Sequence, residues 1–291
     1  MDISTGLKLK QTFRKNMTIA EDPIIKAATK TQTKAGDYVK ITFIPDLKRF
    51  KMDTLDEDII GLFSKRAYDV AGTMANRSGK RLVVILNGEK LPIKKFDTYL
   101  KLYDGMFPPV AYEKINDRWE VGVGPSDGSF QQISFVNEIC TSKGGGHTEH
   151  IANQVAASLT QVMKKKFKCE TKVKKNQIMN HFCVFVNCLV ENPTFDSQTK
   201  EFLTTRPKSF GSTCTISPTF LKKIEKSEIV QNIIAYSRFK ESQALKKTGG
   251  KKKTKLTGIE KLDDANFAGS AKSKDCTLII TEGDSAKSLA M

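Results

Sequence analysis

No stretch of this 291-residue sequence approaches the ~20 consecutive apolar residues that a membrane-spanning helix needs, so no membrane partner is expected. The opening Met1-Asp2-Ile3-Ser4-Thr5 also lacks the basic and then apolar layout of a secretory signal. Cysteine is sparse and unpatterned. The six (140, 169, 183, 188, 214 and 276) fall at irregular spacings with no Cys-x-x-Cys pair. Several lie inside apolar runs and read as reduced core thiols of a cytosolic or nuclear protein. Two of the three histidines, His147 and His150, stand close together, but two imidazoles without further ligands make a poor metal site. No internal repeat is evident. Acidic residues are short as well: 32 Asp and Glu against 48 Lys and Arg leave a net charge of +16. Such an excess favours an acidic partner such as nucleic acid, although composition alone does not separate that from a merely soluble basic protein.

What is present is an ordinary globular composition, 39% hydrophobic and 27% charged, with room for about two domains. Residues 7–17 alternate enough to suggest a strand, and 21–35 read as a polar loop. Residues 38–43 alternate cleanly and predict a half-buried strand that ends at Pro45-Asp46. Ile60, Phe63, Ala67, Val70 and Met74 recur at helical spacing over 53–74. A strand over 82–86 then meets the hairpin signal Asn87-Gly88, and 96–103 predict a short helix. Strands at 110–115 and 119–123 form a hairpin, followed by a strand at 132–137. The glycine-rich run Thr141-Ser142-Lys143-Gly144-Gly145-Gly146-His147 opens a helix carrying Ile151, Val155, Leu159 and Val162 on one face. Glycines at a helix start can cradle phosphate, but the run lacks the Gly-x-x-x-x-Gly-Lys-Ser/Thr spacing, and a tight strand-to-helix turn is the better reading.

The chain is organised around residues 181–200. An apolar run, 181–190, reads as a strand buried on both faces. It breaks at Glu191-Asn192-Pro193 into a polar loop ending Gln198-Thr199-Lys200. A buried strand can hold a loop rigidly and aim a lysine at an anion. Spacing alone leaves an ordinary solvated loop as the plainer alternative.

The run 191–200, continued by Thr205-Arg206-Pro207-Lys208-Ser209-Phe210-Gly211-Ser212, resembles the transducer domain of the eukaryotic type IIA DNA topoisomerases. The resemblance implies that Lys200, with Gln198 beside it, reaches the γ-phosphate of ATP. Lys8-Gln11-Thr12-Phe13, Phe43-Pro45-Asp46-Leu47 and the run 66–72 are similar to the last third of that family's GHKL (Bergerat) ATPase domain. The family's adenine-binding Asp, Mg-holding Asn helix and ATP lid correspond to positions before Met1. No nucleotide pocket is therefore expected in this chain alone. Thr277-Leu278-Ile279-Ile280-Thr281-Glu282-Gly283-Asp284-Ser285 is similar to the opening of a Toprim domain, which makes Glu282 the expected Mg²⁺ ligand. Without the family's later Asp-x-Asp pair and tyrosine, no metal is expected to be held here.

Lys164, Lys165, Lys166 and Lys168 follow the glycine-led helix, where the family carries a DNA-contacting lysine loop. Taken alone such a run is usually a solvated turn. Lysines there would touch backbone phosphates without reading sequence. Over 218–247, Phe220, Ile224, Ile229, Ile233 and Phe239 predict one long or broken helix, and 246–255 a basic linker.

The fold expected is α/β. A partial GHKL ATPase sheet (1–103) precedes a ribosomal-protein-like transducer sandwich (104–217), a helix and basic linker (218–271) and an incomplete Toprim start (272–291). The function implied by resemblance is a part of a nuclear, homodimeric, ATP- and Mg²⁺-dependent type II topoisomerase acting on double-stranded DNA in chromosome segregation. The rival is a truncated, inactive paralogue that binds DNA or chromatin, or serves in dimerisation, through its basic surface.

Overall fold

A computed structural model describes residues 5–74, 82–166, 174–248, 262–270 and 272–282. The chain divides into two compact units, Met1–Ala67 and Tyr68–Met291, with the division inside a single helix.

The first unit is built from short, shallow pieces. Strand β1 (Leu7–Lys10) pairs antiparallel with β4 (Ile24–Ala27), and β2 (Phe13–Arg14) with β3 (Ile19–Ala20). Helix α1 (Lys30–Ala35) starts at Thr29, whose hydroxyl accepts from Gln32 N while the Gln32 amide reaches back to the Thr29 N–H. The expected loop over 21–35 thus holds a strand and a helix. None of the unit's described residues is buried, so this local capping, and not a core, sets their form. The strand expected over 38–43 is absent. Val39, Ile41 and Phe43 are 90, 83 and 71% exposed, because alternation makes a strand only where a neighbour supplies the ladder, and no partner strand stands there among the described residues. Helix α2 (Glu57–Thr73) forms where the spacing predicts it, with Glu57 and Asp58 favourably placed in its first turn.

In the second unit the hairpin β5 (Ile85–Leu86) and β6 (Glu89–Lys90) turns on Asn87 and Gly88, both at positive φ, shorter than the strand expected over 82–86. Helix α3 is Phe96–Leu100, continued by a 3-10 turn to Tyr103. The core is one five-stranded sheet: β7 (Ala111–Asn116), β8 (Trp119–Pro125), β9 (Gln131–Val136), β10 (Ile139–Cys140) and β12 (Phe182–Cys188), ordered β10-β9-β12-β8-β7. Strand β12 lies in the middle, parallel to β9 and antiparallel to β8. All seven of its residues are buried, as an apolar run without alternation requires.

Period-two alternation divides the sheet's load. Phe182, Val184, Val186 and Cys188 face one layer, with Val121 and Val123 beside them. That layer holds Ile151, Val155 and Leu159 of α4 (Gly146–Lys166), Phe220 and Ile224 of α6 (Pro218–Glu225), and Ile229 and Ile233 of α7 (Glu228–Thr248). The long or broken helix expected over 218–247 is broken, into α6 and α7, and Phe239 stays exposed. Cys183, Phe185 and Asn187 face the opposite layer, where Phe96, Tyr99 and Phe135 pack ring against ring at 5.8 to 6.4 Å. Gly122 lets this layer close, since a Cβ there would stand 2.6 Å from Leu100 Cδ1. Helix α5 (Lys175–Met179) leads into β12.

Residues 277–280, a β-rich run in the sequence, form no strand. Leu278, Ile279 and Ile280 are 76, 61 and 85% exposed and have no neighbouring strand among the described residues.

Candidate functional site

Strand β12 delivers the chain to the loop that carries Lys200, and the loop is tied at both ends. Asn137 brackets Val190, accepting from its N–H at 2.9 Å and donating to its carbonyl at 3.0 Å. The Arg118 guanidinium holds the Glu191 carboxylate at 2.6 Å and Gly211 O at 3.2 Å. Farther out, Phe195 bridges Leu203, Asp196 N donates to Phe202 O at 3.2 Å, and Thr204 N donates to Thr194 O at 2.9 Å. The buried Thr205 hydroxyl accepts from Thr194 N at 2.8 Å. Residues 194–205 are therefore a hairpin-like finger, closed at its tip by Lys200 N donating to Ser197 O at 3.1 Å.

At that tip Gln198 is exposed and Lys200 half-buried. Lys200 adopts φ +58°, a left-handed conformation that costs a β-carbon-bearing residue about 1 kcal/mol or more. Its ammonium stands 5.9 Å from the centre of the Phe195 ring, a cation–π distance. Such a lysine can neutralise an anion presented to the finger. What the ammonium itself offers such an anion is electrostatic.

The glycine-rich turn lies against the base of the finger. Gly144 and Gly145 form β11 (Gly144–Gly145), paired parallel with β13 (Phe202–Leu203). Lys143 N donates to Glu201 O at 3.0 Å, and the two side chains form an ion pair at 2.7 Å. That pair raises the Lys143 pKa and lowers that of Glu201 through the hydrogen bond first and charge second. Gly145 has φ +137°, and a Cβ there would meet Leu203 O at 2.3 Å. The turn is thus architectural, as its spacing suggested. Beneath it Ser134, Thr141 and fully buried His147 form a chain, with Thr141 Oγ1 at 3.0 Å from His147 Nε2. Burial depresses the His147 pKa to about 3, so the ring is neutral.

The other expected residues lie elsewhere. Lys164 and Lys165 are exposed on the last turn of α4, where cations also complement the helix dipole. Lys166 closes that helix, and Lys168 falls outside the described residues. Glu282 is exposed after the extended 277–280 segment. Among the described residues no three His, Cys, Asp or Glu side chains gather as a metal site. A lone exposed carboxylate does not meet the octahedral demand of Mg²⁺.

Two connections escaped the sequence reading. One is the Lys143–Glu201 pair, which spans residues far apart in the chain. The other is Asn187, which donates to Thr73 O at the end of α2 (3.1 Å) and to Glu120 (3.0 Å), while Tyr112 donates to the second Glu120 oxygen at 2.7 Å. An amide alone in an apolar strand was the available signal, since a buried polar group demands partners.

Comparison with known proteins gives a consistent result. The family model described as DNA gyrase B matches residues 86–253. DNA topoisomerase 2 of Drosophila melanogaster is 50% identical over 289 residues, which is 97% of this chain and 19% of that protein. Mouse DNA topoisomerase 2-alpha is 49% identical over 290 residues, 97% of this chain and 18% of its own length. The chain thus spans less than a fifth of these relatives. The ATPase and transducer domains of DNA topoisomerase II from Balamuthia mandrillaris superpose with a TM-score of 0.75 at 41% identity, over 83% of this chain and 60% of that one. The ATPase region of Saccharomyces cerevisiae topoisomerase II gives a TM-score of 0.69 at 39% identity, over 81% of this chain and 59% of the other.

Proposed function

The chain belongs to the DNA gyrase B family and resembles the eukaryotic type II topoisomerases within it, and on that premise we propose that it is the part of such an enzyme that relays ATP binding to the passage of duplex DNA. The observation that carries this reading is the finger 194–205, which presents Lys200 beyond the end of the buried central strand β12. Residues 1–103 are assigned to the end of the ATPase domain, 104–217 to the transducer, 218–271 to the helix and linker beyond it, and 272–291 to the start of Toprim. The whole enzyme is a nuclear homodimer using ATP and Mg²⁺, with Glu282 as one ligand of the ion at DNA cleavage.

In this role Lys200 offers its ammonium to the terminal phosphate as negative charge builds there during transfer, and Gln198 supplies an amide beside it. A donor already in place at the moment of transfer lowers the barrier without reorganisation. Lys164, Lys165, Lys166 and Lys168 bind duplex phosphates. The inactive-paralogue reading has less support, because 50% identity to DNA topoisomerase 2 of Drosophila melanogaster extends over 97% of the chain.

The test is Lys200→Ala in a full-length topoisomerase carrying this segment. ATP turnover should fall at least tenfold while the melting temperature stays within about 3 °C, since the side chain has little packing to lose. Normal turnover with a large melting shift would make Lys200 structural.

A further inference from the structure

The finger is too thin to fix its own tip. Between Thr194 and Thr205 its stiffness comes from three backbone hydrogen bonds, one bridge and hydroxyl contacts at Thr205 and between Ser197 and Thr199, and Ser197, Gln198 and Thr199 are exposed. What sets the direction of Lys200 is the residue after it, Glu201. That residue is held twice by Lys143, through N–H to carbonyl at 3.0 Å and through ammonium to carboxylate at 2.7 Å. The following pair, Phe202 and Leu203, is laid directly on Gly144 and Gly145.

The approach is close because three successive residues lack a Cβ. Added carbons would meet Thr148 Oγ1 at 2.9 Å from Gly144, Leu203 O at 2.3 Å from Gly145, and Thr205 O at 2.6 Å from Gly146. The turn itself is anchored from below. Thr148 Oγ1 donates to Gly145 O at 2.9 Å, and Thr141 is gripped by Ser134 and His147.

We propose that Lys143, together with the glycine surface of Gly145, is the positioning device of Lys200: the turn at the start of α4 aims the lysine finger. The inference rests on the phosphate-contacting reading of Lys200 for its functional consequence, but not for its geometry. In this role Lys143 is a positioning residue. It acts through Glu201, and the pair is half open to solvent, with side-chain exposures of 64 and 37%. Its effect is accordingly graded, whereas a carbon at Gly145 displaces backbone outright.

Two measurements test it. In the 291-residue chain, the ring of Phe195 at 5.9 Å should shift the ε-methylene protons of Lys200 upfield, which reports the aim of the side chain by NMR. Gly145→Ala should abolish that shift, Lys143→Ala should reduce it, and Lys143→Glu with Glu201→Lys should restore it. For the ion-pair variants the melting temperature should stay within about 3 °C. In a full-length topoisomerase carrying the segment, Lys143→Ala should lower kcat for ATP roughly threefold with KM unchanged, and the charge exchange should recover it. An unmoved Lys200 signal in both single variants overturns the inference. So does a loss of turnover that the charge exchange fails to recover. If Gly145→Ala does not fold, the ion-pair variants still decide. Should Lys200→Ala keep full turnover while the NMR shifts change as expected, the phosphate reading falls and the positioning geometry stands.

Discussion

Two single residues carry strain or charge state that can be measured directly. Lys200 occupies left-handed backbone, a conformation glycine adopts without cost. Lys200→Gly should therefore be more stable than Lys200→Ala by about 1 kcal/mol, although both abolish the ammonium. Chemical denaturation of the two variants checks this, and equal stabilities would mean that the turn relaxes. His147 offers a pH test. Its unfolded value is near 6.5 and its folded value is about 3, because burial opposes the charged ring. Below pH 6.5 the unfolded chain takes up a proton that the folded chain refuses. Stability is thus complete above that pH and falls by about 1.4 kcal/mol per pH unit until about pH 3. His147→Gln should flatten this slope between pH 6.5 and 4.5. An unchanged slope would place the acid sensitivity in other groups. The buried thiols of Cys183 and Cys214, pushed up to about 12 by desolvation, should resist alkylation in the folded chain.

Among the elements, β12 is the one whose sequence and structure agree most fully, and its single amide is its weak point. Asn187→Ala would leave Thr73 O and a Glu120 oxygen without their donor, at a cost of about 1–3 kcal/mol. Urea denaturation should show that loss with an unchanged m-value, and a neutral result would mean that water replaces the amide. At the far end of α4, replacing Lys164, Lys165 and Lys166 with Ala should reduce the slope of log K against log salt for duplex DNA by roughly one to three. If the slope holds, the DNA contact lies elsewhere. Elements that bury a face were legible from the sequence. The hairpin at Asn87-Gly88, the pair β7 and β8, helix α4 and strand β12 follow from periodicity and turn chemistry. Residues 38–43 and 277–280 carry strand-like patterns but have no ladder partner among the described residues, so the pattern did not become structure. The break from apolar to polar marked the loop that carries Lys200, and resemblance singled out the lysine itself. Its anchoring by Lys143 and Glu201 was not legible, because ion pairs between distant residues leave no periodic trace.

Over the whole molecule, the two units differ in how their backbone hydrogen bonds are shielded. Two-stranded ladders with exposed side chains should exchange amide protons within minutes in the first unit, whereas β8, β9 and β12 should exchange only on global unfolding. Uniform protection across residues 7–67 would mean that the first unit has more support than its own contacts supply. The strand order carries a consequence for synthesis. Strands β8 and β9 are successive in the chain yet are not neighbours, because β12 lies between them. As the chain leaves the ribosome, those two strands emerge with their facing edges unpaired and must stay apart until residue 188 has followed. At ~5–20 residues per second that interval lasts several seconds, long enough for the open edges to pair wrongly. A pause introduced after residue 190, when β8 and β9 have emerged but β12 is still enclosed by the ribosome, should lower the soluble yield more than an equal pause after residue 245.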